Sequence, residues 1–199
     1  IEGCVANGIE RQIAEEIFKN WEQFANYGFN KSHAADYGLL SIQTAFLKKH
    51  YTIEYMSATL DANHGDSAKV AFYINECRSL GIDVLPPHIN ASDWEFTVED
   101  KADGKSLIRF GFGAVKNAGK SAIELIVAER SENGPFANLD DFAERVDLKL
   151  VGRRALESLI KVGALDDFGE RGALLNGLDR IIAASGANKK SRETGQFDM

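Results

Sequence analysis

The chain has 199 residues, 44% of them apolar, which supplies one ordinary domain or two small ones with a buried core and excludes a disordered tail. With 30 acidic against 23 basic side chains the net charge is -7, so the surface as a whole is no generic polyanion binder and any nucleic-acid contact must be local. Cys4 and Cys77 form no Cys-x-x-Cys spacing, which excludes a disulfide scaffold and a cysteine zinc cluster and fits a reducing cytoplasmic compartment. No apolar run approaches the roughly 20 residues of a membrane helix, and no basic n-region precedes an apolar stretch, so no membrane partner is expected.

The elements read as mainly α. Ile9, Ile13, Ile17 and Trp21 recur every four residues between Ile9 and Phe24, the pattern of a helix whose apolar stripe would face a core. Gly28 ends it. Ser32 would cap a second helix from His33 to about His50, its hydroxyl accepting from an orphan N–H two or three residues on. A third helix is predicted over Ile53 to Asn63 and a fourth over Ser67 to Leu80, stopped by Gly81. Pro86-Pro87 cannot continue a helix. Trp94 to Val98 then alternates apolar and polar residues before a turn at Asp103-Gly104 and a second run from Leu107 to Phe112, a small β-hairpin. Ala187 to Glu193 is polar and reads as a mobile linker.

Charge divides unevenly. Residues 1–100 hold 7 basic and 15 acidic side chains, residues 166–199 hold 5 and 6, and only the middle segment, 101–165, is net basic with 11 and 9. That segment contains an internal repeat at an offset of 33 residues: Val115 to Glu124 reappears as Leu148 to Glu157, with Lys, Gly, Ala and Glu identical at matching positions. Each copy is a short apolar stretch, a turn pivoting on Gly119 or Gly152, and a helix with Ala122 or Ala155 packed behind it.

Two chemistries compete for this pattern. Gly113 to Ser121 ends in Gly-Lys-Ser like a phosphate-binding P-loop, but five residues separate its glycines instead of four, and the same turn recurs before Arg153-Arg154. A helix-hairpin-helix explains both copies. Glycine lets successive N–H groups at the start of the second helix point at a phosphate oxygen, and Lys116, Lys120, Ser121, Lys149, Arg153 and Arg154 add cations and a hydroxyl beside Gly119 and Gly152. Such contacts ignore base identity, so binding to duplex DNA would be sequence-independent and salt-sensitive. The structural alternative is a pair of helical hairpins whose Gly and Ala serve close packing alone.

The histidines, at 33, 50, 64 and 88, form no metal-binding spacing, and Asp140-Asp141 and Asp166-Asp167 fit capping or turns better than a two-metal carboxylate set, so no catalytic residue is expected here. Lys31, Ser32 and His33 differ: an ammonium, a hydroxyl and an imidazole stand together where a loop becomes a helix, a corner suited to an anion or to an ordinary N-cap.

Tyr27-Gly28-Phe29-Asn30-Lys31-Ser32-His33-Ala34-Ala35, Gln43 to Lys48, Val84 to Asn90 and Arg109 to Asn117 resemble, in order along the chain, the alpha subunits of bacterial DNA polymerase III, the C-family replicative polymerases. The resemblance implies that residues 1–100 are a distal helical fingers subdomain, 101–165 a tandem helix-hairpin-helix DNA-binding domain, and 166–199 a helical extension and linker toward a sliding-clamp-binding motif. Gln196, Asp198 and Met199 match that motif, and the aromatic residue expected next is not in this sequence. It further implies that Lys31, Ser32 and His33 lie beside the incoming deoxynucleoside triphosphate, and that Tyr37, Gln43 and Thr44 face the nascent base pair. The catalytic aspartates and their Mg2+ belong to a palm domain upstream, so no cofactor is expected in these residues. Primer-template duplex, nucleotide, sliding clamp and the other polymerase III holoenzyme subunits are the implied partners. A start at Ile1 and an end at Met199 fit a piece of a longer chain inactive by itself; the competing reading is a stand-alone helix-hairpin-helix DNA-binding or repair module.

Overall fold

The computed structural model describes residues 1–27, 31–101 and 104–194, with the backbone alone at 26–27 and 186–194. It contains ten α-helices and a three-stranded sheet among the described residues, and divides into two compact units, residues 1–50 and 51–199. Residues 100 and 165, the divisions expected from the sequence, both lie inside the second unit, which holds two apolar cores.

The first unit contains α1 (Glu2–Ala6), α2 (Arg11–Tyr27) and α3 (Lys31–His50). Arg11 reaches back to Glu2 at 2.8 Å and ties α1 to α2. The four-residue stripe on α2 is present, but it does not face a core: Ile13 and Ile17 are exposed, Trp21 is 70% exposed, and among the described side chains of this helix Ala14 is the buried one. Periodicity places side chains on one face, and no other element of this unit covers that face among the described residues. Ser32 is the second residue of α3, not its cap, since the helix already begins at Lys31. Gly28, the expected stop of α2, lies outside the described residues.

In the second unit, α4 (Thr52–Ala62) and α5 (Ser67–Ser79) fall within a residue of their predicted bounds. Asp66 starts α5 by accepting from the N–H groups of Ala68 and Lys69 at 3.0 and 3.2 Å, a side-chain substitute for the absent preceding turn. The predicted hairpin is present but shifted from its expected bounds: β2 is Thr97–Asp100 and not Trp94 to Val98, it runs antiparallel to β3 (Ser106–Arg109) with Val98 opposite Ile108, and Asp103 of the expected turn lies outside the described residues. A strand that the sequence pattern did not show, β1 (Val84–Leu85), lies parallel on the other side of β3. Met56, Leu60, Val70, Cys77, Phe96 and Ile108 form the core between these helices and the sheet.

A larger core follows, built by α6 (Lys120–Asn133), α7 (Leu139–Arg145), α8 (Leu148–Val151), α9 (Arg153–Lys161) and α10 (Arg171–Thr194). Phe110, Gly111, Phe112 and Gly113 connect the two cores. The N–H groups of Phe112 and Gly113 donate to Asp93 O and Trp94 O at 2.8 Å each. A Cβ on Gly111 would stand 2.5 Å from the Glu95 backbone, so that approach requires glycine. The linker expected over Ala187 to Glu193 is helical backbone instead: α10 continues to Thr194, since Ala, Lys, Arg and Glu favour helix once a packed helix is already running.

Candidate nucleic-acid interface

In the first copy of the repeat, Val115 to Ala118 make a tight turn closed by Ala118 N–H donating to Val115 O at 3.2 Å. Its left-handed residue is Asn117, with φ of 64°, and not Gly119. This corrects the expected pivot: the third position of such a turn needs positive φ, which asparagine tolerates better than most residues. Gly119 is extended (φ -65°, ψ 143°) and stands as N-cap of α6 without any side-chain cap. Nothing lies within 4 Å of where its Cβ would be. The first helical bond of α6 is Ile123 N–H to Gly119 O, so the amides of Lys120, Ser121 and Ala122 meet no acceptor among the described residues. Lys116, Lys120 and Ser121 are exposed, while Ala118 and Ala122 are buried and anchor the turn from behind.

The second copy is built differently. Asp147 caps α8 by accepting from Lys149 and Leu150 N–H, and Gly152 serves both as C-cap of α8 and as N-cap of α9. Its φ of +85° with ψ of 144° is a conformation that only glycine adopts readily. The Gly152 N–H is already used, donating to Leu148 O at 3.0 Å. Lys149, Arg153 and Arg154 are exposed, and Ala155 and Leu156 are buried. The Arg153 guanidinium pairs with Asp179 of α10. The packing alternative holds for Ala122 and Ala155 but not for the two glycines, since a Cβ on Gly119 or Gly152 would meet no neighbouring atom.

The copies touch where Asn117 Nδ2 donates to Ser158 Oγ at 3.4 Å. Arg145 holds the connection between them. Its guanidinium donates to Glu129 Oε1 at 3.0 Å, to Gly134 O at 2.7 Å and to Asp141 Oδ2 at 3.1 Å, and sits 4.6 Å over the Phe136 ring. Asp141 also accepts from Ala137 N–H at 2.9 Å, and this bond with the Arg145 contact holds its carboxyl below the usual range. At the end of α9, Lys161 donates to Glu157 at 2.5 Å and lowers that carboxyl, and the Arg171 pair lowers Asp166.

The residues before the Gly-Lys-Ser run are a single 3-10 turn, Phe112–Ala114, following β3, so no strand feeds the loop directly as a P-loop needs. Asp167 accepts from His88 Nε2 at 2.8 Å, and Nδ1 of that ring accepts from Asn90 N–H, so this histidine is a structural link. Among the described residues no three His, Cys, Asp or Glu side chains are grouped to hold a metal ion. In the first unit Lys31, Ser32 and His33 form the exposed first turn of α3, with the His33 ring 4.4 Å from that of Tyr37. Gln43 and Thr44 are exposed on the same helix, and the Thr44 hydroxyl donates to Leu40 O at 2.9 Å. Gln196, Asp198 and Met199 lie outside the described residues. Two residues that shape these turns were not among the sequence candidates: Asn117, signalled by the left-handed tendency of asparagine, and Asp179, which reaches Arg153 only through distant packing.

The helix-hairpin-helix motif family matches residues 81–174. The chain is 45% identical over 195 residues to DNA polymerase III subunit alpha of Thermus aquaticus, 98% of this chain and 16% of that protein. It is 43% identical over 199 residues to that of Escherichia coli, 100% of this chain and 17% of that protein, and 41% identical to that of Pseudomonas aeruginosa, again over all of this chain and 18% of that protein. The chain thus spans about one sixth of the length of the curated relatives it matches. No helix among the described residues is long and apolar enough to cross a membrane. With a helix-hairpin-helix match in its second unit and similarity along its whole length, the sequence belongs to the family of bacterial DNA polymerase III alpha subunits, where it corresponds to one segment.

Proposed function

We propose that this segment grips the primer-template duplex of a replicative DNA polymerase without regard to sequence. The observation that carries the reading is the pair of turns 33 residues apart, each opening a helix at a glycine, exposed at Gly119 and half-buried at Gly152, followed by exposed cations, Lys120 in one and Arg153 and Arg154 in the other. Open amides and cations attract phosphate oxygens and leave base edges unread.

In this reading residues 1–100 are fingers, with Lys31, Ser32 and His33 meeting the phosphates of the incoming deoxynucleoside triphosphate. Gln196, Asp198 and Met199 are part of a peptide that docks on a sliding clamp, and other holoenzyme subunits complete the assembly. Nucleotidyl transfer and its Mg2+ belong to a palm domain outside these residues, and no step of that chemistry is routed through this chain.

The test is fluorescence anisotropy of labelled duplexes of two unrelated sequences over a salt series. The expected result is equal affinity for both and a linear fall of log K with log salt; Lys120→Ala weakens both alike and lowers the slope by about one. A preferred sequence or a salt-independent affinity overturns the proposal. In the full polymerase, Lys31→Ala raises the KM for nucleotide more than it weakens DNA binding, and equal losses overturn the nucleotide assignment.

A further inference from the structure

Between the two hairpins the surface opens into a groove of about 310 Å3, whose lining includes Ser67, Val115, Lys116, Ser158, Lys161 and Val162. These residues come from the start of α5, the turn of the first copy and the end of α9 in the second. The Asn117–Ser158 hydrogen bond fixes one wall against another. Lys161 is the last residue of α9, where an ammonium is favourable next to unpaired carbonyls, and that alone gives it a structural role. It also lines the same groove as Lys116. Two lysines from different hairpins thus border one groove, Glu157 is the carboxylate paired to one of them, and Phe110, Val115 and Val162 make part of the remaining lining apolar.

Such a combination fits an anionic group carried on an apolar body, as a backbone phosphate is carried on its deoxyribose. Its volume is at the small end of ligand pockets, about 300–1,000 Å3. The groove is also continuous with the candidate interface, since Lys116 belongs to the turn that leads into α6. We propose that it seats one phosphodiester of the bound duplex between Lys116 and Lys161, making Lys161 a DNA-contacting residue outside either hairpin turn. This rests on the duplex-gripping reading above.

Anisotropy with the whole 199-residue chain separates the two claims. Lys161→Ala and Lys161→Gln are both expected to lose affinity severalfold and to lower the salt slope by about one, with a melting temperature shifted no more than by Glu157→Gln, which breaks the same pair. Glu157→Gln, which leaves Lys161 without its carboxylate, is expected to bind more tightly. If both Lys161 variants keep the original affinity and slope while Lys120→Ala loses them, the groove carries no phosphate and this inference fails alone. If Lys120→Ala also changes nothing, the hairpin reading itself fails. A titration with inorganic phosphate at constant ionic strength distinguishes the source: binding abolished by Lys161→Ala marks a seat for a free anion and overturns the assignment to DNA backbone.

Discussion

The two hairpins share a sequence pattern and reach their helix starts by different backbones. In the first, the left-handed residue is Asn117, two positions before an extended Gly119 whose surroundings are open. In the second, Gly152 is itself the left-handed residue, its N–H is used within the turn, and the arginine after it is paired to α10. The first copy therefore offers open amides with modest charge, and the second offers more charge with fewer free donors. Identity at a repeated glycine does not mean that it does the same work twice: Gly152 is required by its backbone conformation, whereas the conformation and surroundings of Gly119 would admit other residues.

The largest expected effect comes from uncoupling the copies. Arg145→Met removes the donor that satisfies Glu129, Gly134 and Asp141 together and leaves three acceptors without it. A melting experiment should show a fall of several degrees, and an unchanged melting temperature removes Arg145 as the tie between hairpins. Next, Gly152→Ala forces a Cβ into a disfavoured conformation at roughly 1–3 kcal/mol, whereas Gly119→Ala should change stability by less than about 0.5 kcal/mol. The second variant should nevertheless weaken duplex binding, since its Cβ points where a phosphate would approach. Equal stability losses at both glycines would erase the contrast between the copies.

A smaller change is expected at Asp179. Replacing it by asparagine frees Arg153, so duplex affinity should rise and the salt slope steepen by up to about one. Weaker binding would mean that Asp179 positions the arginine and does not compete for it. The mildest effect concerns pH. Asp141, Glu157 and Asp166, all around the second copy, are held below their ordinary values in the fold. Their contribution is present in full above about pH 5 and is lost as pH falls through the ordinary carboxylate range, about 4, toward the depressed folded values. Asp61 runs the other way, its carboxyl raised by burial. The melting temperature should fall between pH 6 and pH 3; a rise would show that buried carboxylates such as Asp61 dominate.

Helices α4 and α5 were legible because their limits are local, with Gly81 stopping the second. Strand β1 was not, since two residues before a proline pair carry no period and the strand exists only through pairing with residues some 24 positions later, Val84 with Ile108. The α2 stripe misled for a related reason, as an apolar face specifies that something must cover it without naming what. At the candidate site, exposure of Lys116, Lys120, Arg153 and Arg154 follows from the repeat itself. The pairing of Arg153 with Asp179 and the sharing of one groove by Lys161 and Lys116 depend on how α9 and α10 pack, which no short motif encodes.

The buried Ser185 hydroxyl donates to Val146 O at 2.9 Å and accepts from Leu148 N–H at 3.1 Å, so one side chain far along α10 closes the entrance to α8. Leu174 and Leu178 of the same helix are buried in the hairpin core. Anyone transplanting the hairpin pair into another protein must therefore carry the chain through Ser185, well past the last residue of either turn. A graft cut at the end of α9 would leave two backbone groups unsatisfied and an oily flank open to self-association.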